Sequence, residues 1–178
     1  PGSARILPQP RGVAGIVSPW NYPVQLALAP AIGALAAGNR VMLKPSELTP
    51  AVSALMAQTI DLYFDEDELA VIQGGPDVGA AFAALPFDHL IFTGATNVGR
   101  HVMRAAADNL TPVTLELGGK SPVVIGRSAD LTKTAARVMQ GKTMNGGQIC
   151  LAPDYVLAPQ ENVEGFVREA KAAVAKMY

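Results

Sequence analysis

The chain has 178 residues, with 14 Lys and Arg against 15 Asp and Glu, a formal net charge of −1, 49% apolar and 16% charged residues. That balance excludes a nucleic-acid-binding stripe, a polybasic membrane patch and global disorder. One cysteine excludes an internal disulfide and a Cys-cluster metal site, and His89 and His101 lack ligand spacing, so no metal is expected.

In chain order, residues 13–18 read as a buried strand closed by Pro19. Pro23 suits the first turn of a helix to about Ala37, with Gly38 as its stop. Residues 40–44 form a second strand, ended by Pro45. Thr49 caps a helix through about Leu62. Residues 69–73 are a third strand, and Gly74-Gly75-Pro76 then turns the chain. A short helix covers 78–84, a fourth strand 89–92, a helix 96–108 and a fifth strand 112–117. After Gly118-Gly119 come a strand at 122–125, a helix at 130–144 and a loop holding Gly146, Gly147 and Cys150. A strand at 155–158 and an amphipathic helix at 162–177 complete the chain. Apolar Val163, Phe166, Val167, Ala170, Val174 and Met177 recur along that helix at helical spacing and need a surface to cover.

Strands alternating with crossover helices predict an open parallel, Rossmann-like α/β sheet with helices on both faces. The expected domains are a nucleotide-binding domain over 1–119, incomplete at its start, and the beginning of a second α/β domain over 120–178. The longest charge-free run, 13–39, is broken by prolines into pieces too short to span a bilayer. No signal peptide is visible, and a cytoplasmic location is the expectation. The chain opens on Pro-Gly-Ser rather than Met, which reads as an interior start.

Ligands of open α/β sheets bind beyond the carboxyl ends of the strands, so the polar and Gly-rich strand ends carry the interest. Gly94-Ala95-Thr96-Asn97-Val98-Gly99 lacks the dinucleotide fingerprint, because its third position is Thr96. It still makes a glycine turn followed by a helix N-terminus, which attracts phosphate. Gly119-Lys120-Ser121 imitates the end of a P-loop, but the required first glycine falls on Thr114. Cys150 is either an inert apolar residue or a thiolate presented by a loop. Glu116 closes a buried-looking strand. It must be paired with Lys120 or another cation, solvated by a cleft, or raised in pKa as a general base is. Asn21 reads locally as a helix cap.

Taken together, Pro-Trp-Asn-Tyr-Pro at 19–23, Lys-Pro-Ser-Glu at 44–47, Phe-Thr-Gly-Ala-Thr at 92–96, Glu-Leu-Gly-Gly-Lys at 116–120 and Gly-Gln-Ile-Cys at 147–150 resemble the NAD(P)-dependent aldehyde dehydrogenase family. The residues after Cys150 look most like the branch that handles fatty, aromatic or coniferyl-type aldehydes. The resemblance implies an internal fragment of a longer, homo-oligomeric enzyme that oxidises an aldehyde to a carboxylic acid with NAD or NADP. It implies Cys150 as nucleophile, Glu116 as general base, and Asn21 with the Cys150 N–H as oxyanion donors. Lys44 and Glu47 hold the adenosine ribose, Gly75 and Gly79 let the adenine side approach the backbone, and the stretch from Gly94 to Gly99 meets the pyrophosphate. Trp20 and Phe92 complete the implied cofactor contacts. The family commonly has Ser where this chain has Ala95, which removes one phosphate donor. Two alternatives stand beside it: a coenzyme A-dependent acylating relative, disfavoured by Glu116, and a nucleotide-binding fragment without turnover, which is the expectation for these 178 residues in isolation.

Overall fold

A computed structural model describes residues 2–178; Pro1, the first residue of the expected nucleotide-binding domain, lies outside them. The chain divides into two compact units, one ending at Leu117 and the other spanning Gly118–Tyr178.

The first unit contains strands β1 Val13–Val17, β2 Arg40–Lys44, β3 Leu69–Val71, β4 His89–Gly94 and β5 Val113–Leu117. Helices α1 Gln25–Ala36, α2 Pro50–Asp61, α3 Pro76–Ala83 and α4 Thr96–Ala107 connect them. All strand pairs are parallel, in the order β3-β2-β1-β4-β5. Because β2 and β3 extend to one side of β1 and β4 and β5 to the other, the strand order reverses between β1 and β4. That reversal opens a crevice at the carboxyl edge.

Strand side chains alternate between two cores. Ile16, Val41 and Leu43 pack with Ala27 and Ala31 of α1 and Met56 and Ile60 of α2. Leu90 and Phe92 pack with Phe82 and Ala83 of α3 and Val102 and Ala106 of α4. The expected parallel sheet with helices on both faces is therefore present.

Several element ends differ from the expectations. Helix α1 starts at Gln25, with Val24 in the capping position, so Asn21 does not cap it. Gly38 ends it as expected: at φ +87° it carries the turn in which Gly38 N–H donates to Leu35 O and Asn39 N–H to Ala34 O. Thr49 stands at the cap of α2, but its side chain makes no cap bond and donates to Ser46 O at 3.4 Å. Strand β3 is shorter than expected, because the chain leaves the sheet toward the turn at Gly74. Helix α3 begins two residues early, since Pro76 occupies its first turn after Gly75.

The second unit pairs β6 Ser121–Val124 with β7 Pro153–Leu157, in parallel, through α5 Leu131–Thr143. Asp130 caps α5 by accepting from Lys133 N–H at 3.1 Å. Helix α6 Val163–Met177 packs on α5, where Gly165 leaves room: a Cβ there would stand 3.0 Å from Leu131 Cδ1. Within the expected apolar stripe, Phe166, Ala170 and Val174 are half-buried, while Val163, Val167 and Met177 stay exposed. Among the described residues no helix is long and apolar enough to cross a membrane. No group of three or more His, Cys, Asp or Glu gathers there as metal ligands would.

Candidate dinucleotide cleft and catalytic residues

A cleft of about 540 Å³ lies at the carboxyl edge of the first unit, at the strand-order reversal. The chain segments leaving β1, β2 and β4 supply its residues, together with α3 and α4. Of the residues singled out from the sequence, Trp20, Lys44, Glu47, Gly79, Phe92, Gly94 and Ala95 line it.

Lys44 ends β2, and its side chain is 3% exposed. Its Nζ donates to Pro45 O at 3.0 Å and to Glu47 Oε2 at 3.2 Å. The loop that carries Glu47 is fixed by Ser46, whose Oγ accepts from Leu48 N–H and whose carbonyl accepts from the Ser53 hydroxyl. A bond from its own backbone N–H, and then the Lys44 ammonium, hold the Glu47 carboxyl below the ordinary glutamate value; burial opposes them. Since the folded value lies below the unfolded one, Glu47 stabilises the fold in full above the ordinary glutamate pKa. That stability is lost as pH falls through the lowered value. The stability difference between the native protein and Glu47→Gln, from urea unfolding followed by Trp20 fluorescence, is expected to be constant near neutrality and to shrink to nothing on acidification. A difference that grows as pH falls would contradict this pairing.

Glycine is needed at position 94, because a Cβ there would stand 2.6 Å from the Phe92 ring. Beyond it, Ala95 takes the capping position of α4 in extended conformation, and no side chain caps the helix. The first N–H groups of a 12-residue helix are thus left to an anion at the cleft. Gly99 and Gly75 are not among the lining residues. Gly99 is buried against the sheet instead, where a Cβ would stand 3.0 Å from Leu117 Cδ2, so its smallness serves helix–strand packing.

Ser18 and His101, to which the sequence assigned no role, also line the cleft, as do Ser46 and Val98 from within two of the motifs. Ser18 is 3% exposed, and its Oγ has no hydrogen-bond partner among the described residues. Its signal was its place directly after β1; that of Val98 and His101 was their three-residue spacing on α4. A buried cation paired with a carboxylate, an orphaned hydroxyl, a bare helix N-terminus and a glycine under an aromatic ring together fit the dinucleotide that the resemblance implies.

Asn21 and Glu116 also belong to the first unit and lie outside the lining of the cleft. Asn21 is half-buried. Glu116 is exposed, contrary to the buried strand end expected for it. Val113, Leu115 and Leu117 of its strand turn toward the core with α3 and α4, so Thr114 and Glu116 lie on the opposite face of β5, where they are exposed. Lys120 forms its ion pair with Asp154 at 3.1 Å.

Cys150 belongs to the second unit and is exposed. It sits inside a turn closed by Ala152 N–H donating to Ile149 O at 3.0 Å. Three left-handed residues precede it: Asn145 at φ +50°, Gly146 at +64° and Gly147 at +79°. At Gly147 a Cβ would also crowd Lys142 O, at 3.1 Å. These glycines let the chain reverse after α5 and present the thiol on a defined turn.

The sequence pattern of the "Aldehyde dehydrogenase family" matches residues 3–178. The coniferyl aldehyde dehydrogenase of Pseudomonas sp. strain HR199 is 63% identical over 179 residues, covering 100% of this chain and 37% of that protein. The substrate-bound AldH of Staphylococcus aureus superposes with a TM-score of 0.93 at 42% identity, covering 96% of this chain and 37% of that one. AldC of Pseudomonas syringae, in complex with NAD+ and octanal, superposes with a TM-score of 0.88 at 34% identity, covering 94% and 35%. The chain thus spans just over a third of the length of these relatives.

Proposed function

Because the chain belongs to the aldehyde dehydrogenase family, we propose that it carries the dinucleotide site, nucleophile and base of an enzyme that oxidises an aldehyde to a carboxylic acid. The cofactor is NAD or NADP. The observation that carries this reading is the cleft at the strand-order reversal, with the buried Lys44 paired to Glu47 and the uncapped N-terminus of α4 on its lining.

In this reading Lys44 and Glu47 hold the ribose hydroxyls of the adenosine half. The first turn of α4, together with Gly94 and Ala95, receives the pyrophosphate. Trp20, Phe92 and Gly79 border the bound molecule, while Gly75 and Gly99 shape the helices that frame it. The bound cofactor supplies the hydride acceptor.

The remaining chemistry belongs to side chains of this protein. The Cys150 thiolate forms a C–S bond to the aldehyde carbon, and the carbonyl oxygen takes the negative charge. The Asn21 amide and the Cys150 N–H donate to that oxygen; one such donor contributes about 3 kcal/mol in comparable enzymes. Cys150 holds the oxidised carbon as a thioester. Glu116 takes a proton from water, the water oxygen attacks the thioester carbon, and the acid and the Cys150 thiolate are released. An exposed carboxylate at a strand end has access to water, and an exposed thiol on a hydrogen-bonded turn has access to substrate.

The similarity to coniferyl aldehyde dehydrogenase supports an aromatic aldehyde as substrate, and the similarity to AldC, which binds octanal, a fatty one. The reading extends to a homo-oligomeric parent acting in the cytoplasm. Rapid mixing of the enzyme with aldehyde and NAD+ tests it. Glu116→Gln is expected to give an undiminished burst of NADH and then a steady rate at least about a hundredfold slower, because the base acts after oxidation. Burst and steady rate falling together would remove Glu116 from its role. Absence of aldehyde-dependent NADH formation in the native enzyme would overturn the whole reading.

A further inference from the structure

We propose that His89 is a positioning residue for the base: its bond to Thr114 holds the outer face of β5, on which Glu116 stands. This rests on the reading of Glu116 as the base. Leu90 and Phe92 of β4 and Val113, Leu115 and Leu117 of β5 turn toward one core. His89, Ile91 and Thr93 of β4 therefore share the opposite face with Thr114 and Glu116 of β5. In the register of the two parallel strands, Ile91 lies beside Thr114 and Thr93 beside Glu116. The half-buried His89 ring reaches across the strands, and its Nε2 stands 2.9 Å from Thr114 Oγ1. Glu116 is the next residue on that face, roughly 7 Å further along β5.

At the edge of the five-stranded sheet, β5 pairs with β4. Just ahead of these two strands, Asn109 Nδ2 donates to Ala84 O at 2.8 Å and Thr111 Oγ1 to Phe87 O at 2.9 Å. Those bonds fix where β5 begins. The His89–Thr114 bond carries the tie into the strand itself, on the side where Thr114 and Glu116 are exposed. His89 Nδ1 is buried and has no hydrogen-bond partner among the described residues. An unsatisfied buried nitrogen costs stability, so the packing of β4 does not explain a histidine here, whereas the bond to Thr114 does.

The bond depends on the neutral ring. An imidazolium carries a hydrogen on both nitrogens, and Nδ1 would have to turn out to water, away from Thr114. The charged groups on the neighbouring elements are few. Arg11 precedes β1, whose Ala14 lies beside His89. Asp88 adjoins the histidine and accepts from Val13 N–H, and β5 brings Glu116. Helix α1, which covers this face at β1, carries no charged residue. Burial, and then the Arg11 charge, hold His89 below the ordinary histidine value. The tie is thus intact above that ordinary value and is lost as pH falls through the lowered one.

The test is rapid mixing of the enzyme with aldehyde and NAD+ over a range of pH, for the native protein, His89→Ala, His89→Gln, Thr114→Val and Glu116→Gln. His89→Ala and Thr114→Val are each expected to leave the NADH burst within about twofold. Each should slow the steady rate about tenfold at neutral pH, because a misplaced base affects only the step after oxidation. Combining the two changes should slow it no further, since both remove the same bond. His89→Gln keeps a donor at the reach of Nε2 and should recover most of the steady rate. It has no titrating ring, so its steady rate should begin to fall at a lower pH than that of the native enzyme. If Glu116→Gln loses the steady rate alone but His89→Ala keeps it within twofold, the His89 inference is overturned and the base reading stands. A burst that falls with the steady rate in His89→Ala would likewise overturn it, since that is what general damage to the sheet produces. So would a His89→Gln enzyme with the acid profile of the native one. Glu116→Gln lowering burst and steady rate together would remove the base reading, and this inference with it.

Discussion

Cys150→Ala is expected to abolish aldehyde oxidation, by about 10⁴-fold or more, while the affinity for NAD+ stays within twofold. The rate loss follows from the role proposed for the thiol. Without it no C–S bond forms, and the aldehyde carbon is never held in the state that gives up its hydride. Removing a covalent nucleophile costs other enzymes on the order of 10⁶-fold, with only binding and oxyanion donors left to act. Preserved affinity follows from the architecture, because every residue lining the cleft belongs to the unit that ends at Leu117. Cys150 is exposed, so its truncation opens no cavity. Steady-state rates and calorimetric titration on the same preparation check both halves. Activity near that of the native enzyme would exclude Cys150 as the nucleophile. A parallel loss of NAD+ affinity would tie the thiol to the cofactor.

The second large effect is on stability. Leu43→Ala is expected to destabilise the first unit by about 2–5 kcal/mol, the range for deleting a buried leucine side chain. Leu43 is completely buried. It lies on β2 between Ile16 of β1 and Val71 of β3, and it packs in the cluster with Met56 and Ile60 of α2. Truncation leaves a cavity that flanking strands, fixed by their ladder bonds, cannot close. A loss of this size is a large share of the 5–15 kcal/mol that typically holds a domain together. The control is Leu55→Ala in the same layer, on α2, where the leucine is 64% exposed. That change should stay within about 0.5 kcal/mol. Urea unfolding followed by the fluorescence of Trp20, the only tryptophan, reads both. Equal midpoints for the two variants would mean that the cluster around Leu43 does not support the sheet.

Residue patterns made the order and kind of the elements legible. Short apolar runs such as 40–44 and 89–92 mark strands because fully buried parallel strands need apolar side chains on both faces. Gly38 marks the end of α1 through backbone chemistry that does not depend on the rest of the fold, whereas Pro76, which reads as part of a turn, opens α3. Thr49 holds the cap position of α2 as its sequence suggests, though its hydroxyl serves Ser46 O and not the helix. Asn21 also looks like a cap, yet it precedes the true helix start by four residues. Glu116 looked buried because its strand is apolar around it, but only the face of β5 that carries Val113, Leu115 and Leu117 packs on a core, and Glu116 points to the other.

By itself the sequence determined a parallel α/β chain with chemistry at the strand ends, a single thiol on a glycine-rich loop, and the motifs that tie it to its family. Those features rest on local periodicity, on the φ demands of glycine and proline, and on residue identity. Only the tertiary structure decided that β4 pairs with β1 and so where the strand order reverses. It also turned Gly99 toward Leu117 and brought Ser18 and His101 to the cleft. Helical spacing states which residues share a face, but the partner of that face depends on which strands bury one another, and that is a property of the whole sheet.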